Sequence, residues 1–351
     1  MAINENSQRS LKKKNNHRAV SIKDIAKAAG VHHSTVSRAL RDGPMVKDET
    51  ADRIREIAKA AGFTISAVAR SLATQKTHLI GVVVTDITDP FHHEIISGLD
   101  KVAEEKGYSV ILADSQGDPD RERRVVRSFR ERRVDAIVVM SSRVGGRYTP
   151  ELAELKIPIV LINNQLREGF VHSVNINNVE GAIAAVRHLI ALGHRRIAYI
   201  GNENPVYSDA ERLMGYRRAL EEANIEVNQD FIVHSEFGPE GGIVAVRKLL
   251  AMEPTPTAVF CYNDMLALGV LTGAQEVVRV PEDLSVVGFD DLFLARYLEP
   301  ALTTVQQPMW EMGKLVMELT LKLLAGQKVQ RTMSVDGKLI VRASTAAPSQ
   351  E

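Results

Sequence analysis

The amino-acid sequence predicts a small all-α domain at the N-terminus, joined by a short hinge to a larger α/β body built on parallel sheets. Three observations carry this prediction. The chain has 351 residues, which is more than one compact core usually holds. Its charge is divided unevenly along the chain. From Leu79 onward, the apolar pattern changes from helical spacing to short β-branched runs that alternate with longer helical segments.

The first domain is predicted to contain three helices with a glycine turn between the first two. Ser21, followed three residues later by Asp24, is typical of a helix N-cap, and Gly30 ends that helix. The stretch "HHSTVSRAL" predicts a second helix with Val36 facing inward, and "DETADRIREIAKAAGF" predicts a third, amphipathic helix. Two short helices around such a turn indicate a helix-turn-helix, and a generic three-helix bundle is the alternative.

Charge separates the two parts of the chain. Residues 1–78 contain 15 Lys and Arg against 7 Asp and Glu, whereas the rest contains 29 against 37. A basic domain on an acidic body indicates a polyanionic partner, and nucleic acid is the leading candidate. Residues 1–20 are expected to form a disordered basic arm.

The cellular compartment is predicted from cysteine content and apolar runs. Cys261 is the one cysteine of the sequence and has no partner for an internal disulfide, so we expect a reducing compartment. No early apolar stretch fits a signal peptide, and no run of about 18 apolar residues is present to span a bilayer. The sequence therefore predicts a cytoplasmic protein without a membrane partner.

Polar residues follow several predicted strands of the body. The strands are expected at "LIGVVVT", "SVILA", "AIVVM", "IPIVLI", "RIAYIG", "TAVFCY" and "LSVVGF". The polar residues that come directly after four of them are Thr85, Asp86, Asn163, Asn164, Asn263, Asp264, Asp290 and Asp291. Because the carboxyl ends of parallel strands line the ligand crevice, these residues predict a polar pocket, although any single one fits a turn or a helix cap. No glycine-rich phosphate loop follows a strand.

These segments together resemble the lac repressor family of bacterial transcription regulators, also called the LacI/GalR family. The resemblance runs from about Val20 to about Thr345 and rests on "IKDIAKAAGV", "STVSRAL", "AVARSLA", "LGHRRIAYIG", "NDMLALGVL", "VPEDLSVVGFDD" and "LTTVQQP". It implies a DNA-binding domain at 21–64 and a hinge at 65–78 that forms a helix on the operator. It also implies a body of the periplasmic-binding-protein type at 79–345.

The resemblance assigns the DNA contacts to the head and the hinge. Base reading in the major groove is implied for His33, Ser34 and Arg38, since an Arg fork can bond guanine at two points. Leu72 is implied as the apolar wedge in the minor groove. The full set of candidate DNA contacts is Ser21, His33, Ser34, Thr35, Ser37, Arg38, Ser66, Arg70 and Leu72.

The resemblance also divides the body into two subdomains that close on a small ligand. Subdomain one is expected at about 79–176 and 306–329, and subdomain two at about 177–305 and 330–345, with a frayed tail at 346–351. Arg212 and Asp290 are expected to grip ligand oxygens together. The candidate effector contacts are Asp86, Phe91, His92, Asn163, Arg212, Phe237, Asn263 and Asp290.

Several functions were weighed against these residues. The favoured function is a homodimeric regulator, expected to be a repressor of carbohydrate-utilisation genes, that a sugar-like effector releases from a palindromic operator or locks onto it. A purine- or nucleoside-responsive corepressor-type regulator is the alternative. A sugar-binding transport protein needs a signal peptide, and an enzyme needs a catalytic constellation that the sequence does not offer. No cofactor is expected, and adjacent His92 and His93 point too far apart on a helix to share a metal ion.

Overall fold

The chain forms two compact units, Met1–Thr77 and His78–Glu351. The computed structural model describes residues 20–40, 46–63, 71, 75–142, 144, 157–163, 172–203, 206–275 and 277–349. The two units are called the head and the body below. The body begins at His78, one residue before the start at 79 that was expected from the sequence.

Within residues 20–40 and 46–63, the head contains three helices that share an apolar core. Helices α1 (Ile22–Ala29), α2 (His33–Ala39) and α3 (Asp48–Ala60) contribute one fully buried residue each, namely Ile25, Val36 and Ile54. Each of these side chains belongs to the apolar stripe of its helix, so the helical spacing read from the sequence is the spacing that forms the core. The three predicted helices are therefore present.

The turn between α1 and α2 depends on Gly30 and on an unusual cap. Gly30 adopts a left-handed φ of +66°, which glycine enters without steric cost. His32 then caps α2, because its Nδ1 accepts a hydrogen bond from the Ser34 backbone N–H and also bonds the Ser34 hydroxyl at 2.8 Å. A histidine thus performs the capping role that Ser or Asp usually performs.

The first sheet of the body is entirely parallel and has the strand order β11-β5-β4-β3-β1-β2. Its strands are β1 (Leu79–Val84), β2 (Ser109–Asp114), β3 (Ala136–Met140), β4 (Ile159–Ile162), β5 (His172–Ile176) and β11 (Thr332–Val335). Its helices are α4 (Phe91–Glu105), α5 (Pro119–Glu131) and α10 (Met309–Leu324). The central strands are buried and consist mainly of β-branched residues, as parallel strands covered on both faces require.

The second sheet has the order β12-β10-β9-β8-β6-β7 and is parallel except for β12, which runs antiparallel to β10. Its strands are β6 (Ile197–Asn202), β7 (Ile232–Ser235), β8 (Ala258–Cys261), β9 (Ser285–Asp290), β10 (Thr303–Gln306) and β12 (Lys338–Ile340). Its helices are α6 (Asn178–Ala191), α7 (Tyr207–Glu222), α8 (Pro239–Leu250) and α9 (Asp264–Ala274), with short 3-10 turns at Gln229–Phe231 and Phe293–Arg296. Cys261 is buried in β8.

The chain passes between the two sheets three times. It leaves the first sheet after Ile176, returns after Gln306, and leaves it again after Val335. The third passage corrects the boundary expected near Val329, because residues 332–335 pair with β5 of the first sheet. The first and third passages are bonded to each other, since the Asn177 backbone N–H donates to the Val335 carbonyl at 2.8 Å.

The C-terminal segment is docked on the second sheet rather than frayed. The Ala346 carbonyl accepts a hydrogen bond from His194 Nε2 at 2.9 Å, and the Ser349 hydroxyl donates to the Glu282 carbonyl at 2.7 Å. This corrects the expected tail at 346–351 as far as Ser349. Polar anchors close to the strands hold the segment, and the short sequence "APSQ" carries no periodic signal that predicts them.

None of the helices in the described ranges combines the length and the apolar character needed to cross a bilayer.

Candidate functional site

The exposed face of α2 carries the residues expected to read bases. His33 and Arg38 are exposed, and the side chains beneath them, Val36 and Ala39, are buried in the core of the head. His33 also stacks on His32, with ring centroids 4.0 Å apart. The buried apolar residues of this short helix therefore set which of its polar side chains face outward. Ser34, Thr35 and Ser37 are half-buried at the margin of the exposed face.

Ser21 is placed in a helix cap. Its backbone N–H and its hydroxyl both donate to Asp24 Oδ2, at 2.9 and 2.6 Å. Ser21 and Asp24 thus form a capping box at the start of α1. The other expected DNA contacts, Ser66, Arg70 and Leu72, lie outside the described residues.

Arg212 is the centre of the polar network in the body. Its guanidinium is 3% exposed and stacks on the Phe289 ring with 3.7 Å between Cζ and the ring centroid. Its Nε donates to Asn178 Oδ1 at 2.9 Å, and one terminal nitrogen donates to the Tyr262 carbonyl at 2.5 Å. The other terminal nitrogen lies 3.4 Å from Asp290 Oδ1. Four residues of the second subdomain therefore fix the orientation of this cation.

Asp290 faces Arg212 from the carboxyl end of β9 and holds an unusual backbone conformation. Its φ is +119°, which a residue with a side chain adopts only under constraint from its surroundings. Its Oδ1 accepts a hydrogen bond from Gln307 Nε2 at 2.6 Å. Burial raises the pKa of this carboxyl to about 7, against the opposing effects of Arg212 and Gln307.

Two further carboxylates surround Asp290. Asp264 accepts hydrogen bonds from the Thr304 hydroxyl at 2.6 Å and from the Leu292 backbone N–H at 2.8 Å, and burial raises its pKa well above the usual range. Asp291 forms an ion pair with Arg342 at 2.5 Å. The carboxyl end of this sheet therefore holds three hydrogen-bonded carboxyl groups, two of which face an arginine.

Gln307 was not among the residues expected from the sequence. It lies in the second passage between the subdomains and is buried. Its amide nitrogen bonds Asp290, and among the described residues its Oε1 finds no hydrogen-bond partner. A buried acceptor without a donor is costly, so this atom is a candidate for a ligand or water contact. Sequence spacing gives no signal for it, since its partner Asp290 lies 17 residues earlier, at the end of β9.

A polar cavity of about 180 Å³ lies where the chain first crosses between the sheets. Its lining is made almost wholly of amides, hydroxyls and one carboxylate: Asn163, Asn175, Ile176, Asn177, Asn178, Tyr207, Ser208, Glu211, Thr332 and Ser334. Asn178 connects the cavity to Arg212, because its side chain accepts from the Arg212 Nε and donates to Glu211 Oε2 at 3.0 Å. The cavity and the Arg212–Asp290 pair thus share one hydrogen-bond network.

Of the expected effector contacts in the first subdomain, one lines this cavity. Asn163 does so with a left-handed φ of +50°, while its Oδ1 accepts from the Ile176 N–H at 3.2 Å. Asp86 lies outside the cavity lining, is exposed and accepts two hydrogen bonds from Thr88, which lower the pKa of its carboxyl. Phe91 is buried in the core of the first subdomain, so the structure does not present the ring face expected for stacking.

Three further expected effector contacts each have different surroundings, namely His92, Asn263 and Phe237. His92 is buried, and its ring nitrogens bond the Asp86 carbonyl and the Thr85 hydroxyl. Asn263 is the N-cap of α9, with its Oδ1 accepting from the Leu266 N–H at 2.9 Å, so it has the cap role that the sequence left open. Phe237 is 48% exposed after β7, which leaves an aromatic surface open to solvent.

Two family models match the chain in agreement with its two units. Residues 21–66 match the model described as bacterial regulatory proteins, lacI family, and residues 186–345 match the periplasmic binding protein-like domain.

Relatives of known name match most of the chain. The catabolite control protein A of Priestia megaterium is 35% identical over 317 residues, which cover 90% of this chain and 95% of that protein. The HTH-type transcriptional repressor PurR of Vibrio cholerae is 36% identical over 312 residues, covering 88% and 93%.

Solved structures show the same fold. The transcription regulator CcpA of Lactococcus lactis matches with a TM-score of 0.71 at 31% identity, covering 76% of this chain and 98% of that one. The lac repressor dimer bound to operator matches with a TM-score of 0.85 over 94% and 100%, and its 24% identity supports likeness of fold alone. With its helix-turn-helix head and two-subdomain body, the chain belongs to the lacI family of bacterial regulatory proteins and is a ligand-responsive transcriptional repressor.

Proposed function

We propose that α2 is the recognition helix of a homodimeric repressor and that a sugar or sugar derivative in the body sets its affinity for a palindromic operator. The observation that carries the DNA-reading part is the polar face of α2, where Arg38 and His33 stand exposed above a buried apolar stripe. A short helix with such a face enters the major groove and reads base edges. Ser34, Thr35 and Ser37 would contact bases or phosphates from the margin of that face.

The network around Arg212 supports the effector part of the proposal. A buried guanidinium, a buried carboxylate and a cavity lined by amides and hydroxyls can donate and accept hydrogen bonds with a ligand that carries several hydroxyl groups. Two similar solved structures are described as complexes with cellobiose and with bound ribose. Asp290, Arg212, Asn163 and Phe237 are the proposed contacts on this side.

A purine or nucleoside effector is the second candidate. Relatives 33 to 36% identical to this chain are named PurR. An exposed ring such as Phe237 can stack on a base as well as on a sugar face. In this case the ligand would act as a corepressor, whereas a sugar commonly acts as an inducer.

Selection of binding sites from a random duplex library by the purified protein tests the DNA-reading part. We expect recovery of a palindrome, because a dimer reads two half-sites. The Arg38→Ala variant is expected to lose preference at one position in each half-site, by roughly 1 to 3 kcal/mol. Arg55→Ala, on an exposed arginine of α3 that pairs with Asp52, is the matched control and should keep the wild-type preference. A uniform loss over all sequences would make Arg38 a phosphate contact.

Titration of the selected operator complex with sugars, nucleosides and purines tests the effector part. If one of these classes of compound changes the operator affinity, the effector belongs to that class. A lower affinity would make it an inducer, and a higher affinity a corepressor. The Glu211→Gln variant should weaken the response while leaving operator binding intact, since Glu211 lines the cavity. If no member of the panel changes the affinity, the cavity is not the effector site for these classes.

A further inference from the structure

Leu292 connects the two subdomains of the body close to Asp290. Its backbone belongs to the second subdomain, because it follows β9 and its N–H donates to Asp264 Oδ2 at 2.8 Å. Its side chain is 2% exposed and packs in the apolar core of the first subdomain, which also holds side chains of α4 and α10. This residue is therefore anchored to one subdomain by its main chain and to the other by its side chain.

The backbone between Asp290 and Leu292 has an uncommon conformation. Asp290 and Asp291 have φ values of +119° and +56°, in a region that residues with a side chain rarely adopt. Asp291 is held there on two sides, since its N–H donates to the Thr304 hydroxyl at 3.3 Å and its carboxylate pairs with Arg342. Because this short path is so constrained, the position of Leu292 depends on that of Asp290.

A second link joins Asp290 to the first subdomain. The Gln307 side-chain amide donates to the Asp290 carboxylate, and the Gln307 backbone N–H donates to the Asp290 carbonyl at 3.2 Å. The Met309 N–H in turn donates to the Gln307 carbonyl at 2.8 Å. Met309 is the first residue of α10 and is buried in the same apolar core as Leu292. Both links therefore lead from Asp290 to one core of the first subdomain.

The order of the chain gives these links a role in the proposed function. The head ends at Thr77 and is followed in the chain by β1 of the first subdomain. Two of the proposed effector contacts, Arg212 and Asp290, belong to the second subdomain. The covalent route from these two side chains to the head therefore passes through the first subdomain.

From these observations we propose that Leu292 is a positioning residue that transmits the state of Asp290 to the first subdomain. The inference rests on the proposed function, since it requires an effector that contacts Asp290. When the effector moves the main chain at Asp290, Leu292 shifts within the core of the first subdomain, and close-packed cores change between discrete arrangements. The effector then binds these arrangements unequally, which is the condition for a change in operator affinity.

An ordinary core role for Leu292 predicts a different outcome. Truncation of any buried leucine removes apolar contacts and lowers stability, and that loss leaves the effect of a bound effector on operator affinity intact. Leu284 is the matched control, because it is 1% exposed and packs in the core of the second subdomain. The two leucines flank the same strand, β9, so they differ in the subdomain that their side chains enter.

The experiment measures the operator affinity of the full chain with and without four probes, namely ribose, cellobiose, adenosine and guanine. The variants are Leu292→Ala, Leu292→Met and Leu284→Ala. Methionine is included because it keeps the approximate volume and the apolar character of leucine. The affinity for each active probe is also measured with and without operator, since coupling between two sites is reciprocal.

We expect an active probe to change the operator affinity of the wild type by roughly 5- to 150-fold, the usual range of allosteric coupling. Leu292→Ala should still bind the probe, but its operator affinities with and without the probe should agree within about twofold. Its affinity for the probe should likewise be the same with and without operator. Leu292→Met and Leu284→Ala should keep the wild-type response within about threefold.

A wild-type response in Leu292→Ala would overturn the inference. An equal loss of response in Leu284→Ala would do so too, by reducing the effect to general destabilisation, and so would loss of probe binding by Leu292→Ala, by making the residue part of the binding site. If Leu292→Ala does not fold, Leu292→Val and Leu284→Val replace the alanine pair, because they remove less volume. If none of the probes changes the operator affinity of the wild type, the proposed effectors themselves fail, and the inference fails with them.

Discussion

The second sheet carries buried polar side chains at both ends of its strands, and the two ends differ in chemistry. At the carboxyl ends, the carboxylate of Asp290 meets the guanidinium of Arg212 beside the cavity. At the amino ends, the imidazole of His194 bonds the hydroxyls of Thr257 and Ser285 and the carbonyl of Ala346. One end is built from opposite charges, and the other from neutral donors and acceptors.

The carboxyl-end group around Asp290, where we propose that the effector binds, is called the binding edge, and the amino-end group around His194 is called the holding edge. Burying opposite charges is costly, and the cost is offset only when the geometry and the surrounding hydrogen bonds are good. Neutral hydrogen bonds contribute modestly and cost less to bury, which is sufficient to hold a chain terminus against a sheet. Charge is therefore concentrated where a ligand can be recognised.

The largest effect is expected from removal of the cation at the binding edge. Arg212→Ala leaves Asp290 buried without its counter-ion and should reduce the free energy of unfolding by about 3 to 5 kcal/mol. Arg218→Ala, on the same helix, breaks only an exposed pair with Glu222 and should cost about 0 to 1 kcal/mol. Urea unfolding of both variants measures the difference. Similar losses for the two would show that the buried pair contributes no more than a surface pair.

A smaller loss is expected at the holding edge. His194→Ala removes a ring whose two nitrogens bond three groups, and should cost about 1 to 3 kcal/mol because the hydroxyls of Thr257 and Ser285 each lose one partner. His93→Ala, at an exposed histidine of α4, is the control and should be nearly neutral. Urea unfolding reports both values. A loss as large as that of Arg212→Ala would contradict the distinction between the edges.

The two edges are also expected to respond to pH with opposite sign. The pKa of Asp290 is raised by burial to about 7 from an ordinary value of 3.8. As the pH falls below 7, the folded state takes up this proton before the unfolded state does, so protonation of Asp290 stabilises the fold. Asp290→Asn should therefore remove part of any gain in stability between pH 7 and pH 4. An unchanged pH slope in urea unfolding would rule out this titration.

The smallest effect is expected from the titration of His194. Burial lowers the pKa of its imidazole below 6.5, so the unfolded state takes up the proton first as the pH falls through that value. Its contribution to stability is present above pH 6.5 and is lost on acidification. His194→Gln should make the decline of stability below pH 6.5 shallower than in the wild type. A steeper decline would show that the sign is wrong.

Local patterns in the sequence predicted the elements whose residues repeat at a fixed spacing. The three helices of the head and the seven apolar strands follow this rule, because each buries side chains at the period of its own backbone. Strands β5, β7, β10, β11 and β12 were not predicted. All five are short, and β5 and β11, with the sequences "HSVNI" and "TMSV", pair across 159 residues. A pairing between residues so far apart in the chain cannot be predicted from a local sequence pattern.

The pairing of Arg212 with Asp290 was expected from the family resemblance, and the two side chains lie 3.4 Å apart. Their contact with a ligand stays a prediction. Phe91 was expected in the pocket, yet it shares the stripe of Ile95 and Leu99 at spacings of four residues, and that signal was present in the sequence. Gln307 acts only because the second passage brings it to Asp290, which spacing alone does not reveal.

The pairing of the last two strands has a consequence for synthesis of the chain. Strand β11 completes one edge of the first sheet and β12 completes one edge of the second, and only Asp336 and Gly337 separate them. Until these residues leave the ribosome, both sheets lack an edge strand, whereas α1, α2 and α3 of the head lie within the first 60 residues and are synthesised early. The head of a nascent chain can thus fold before the body is complete. A protein shortened by its last twenty residues would lose an edge from both subdomains at once.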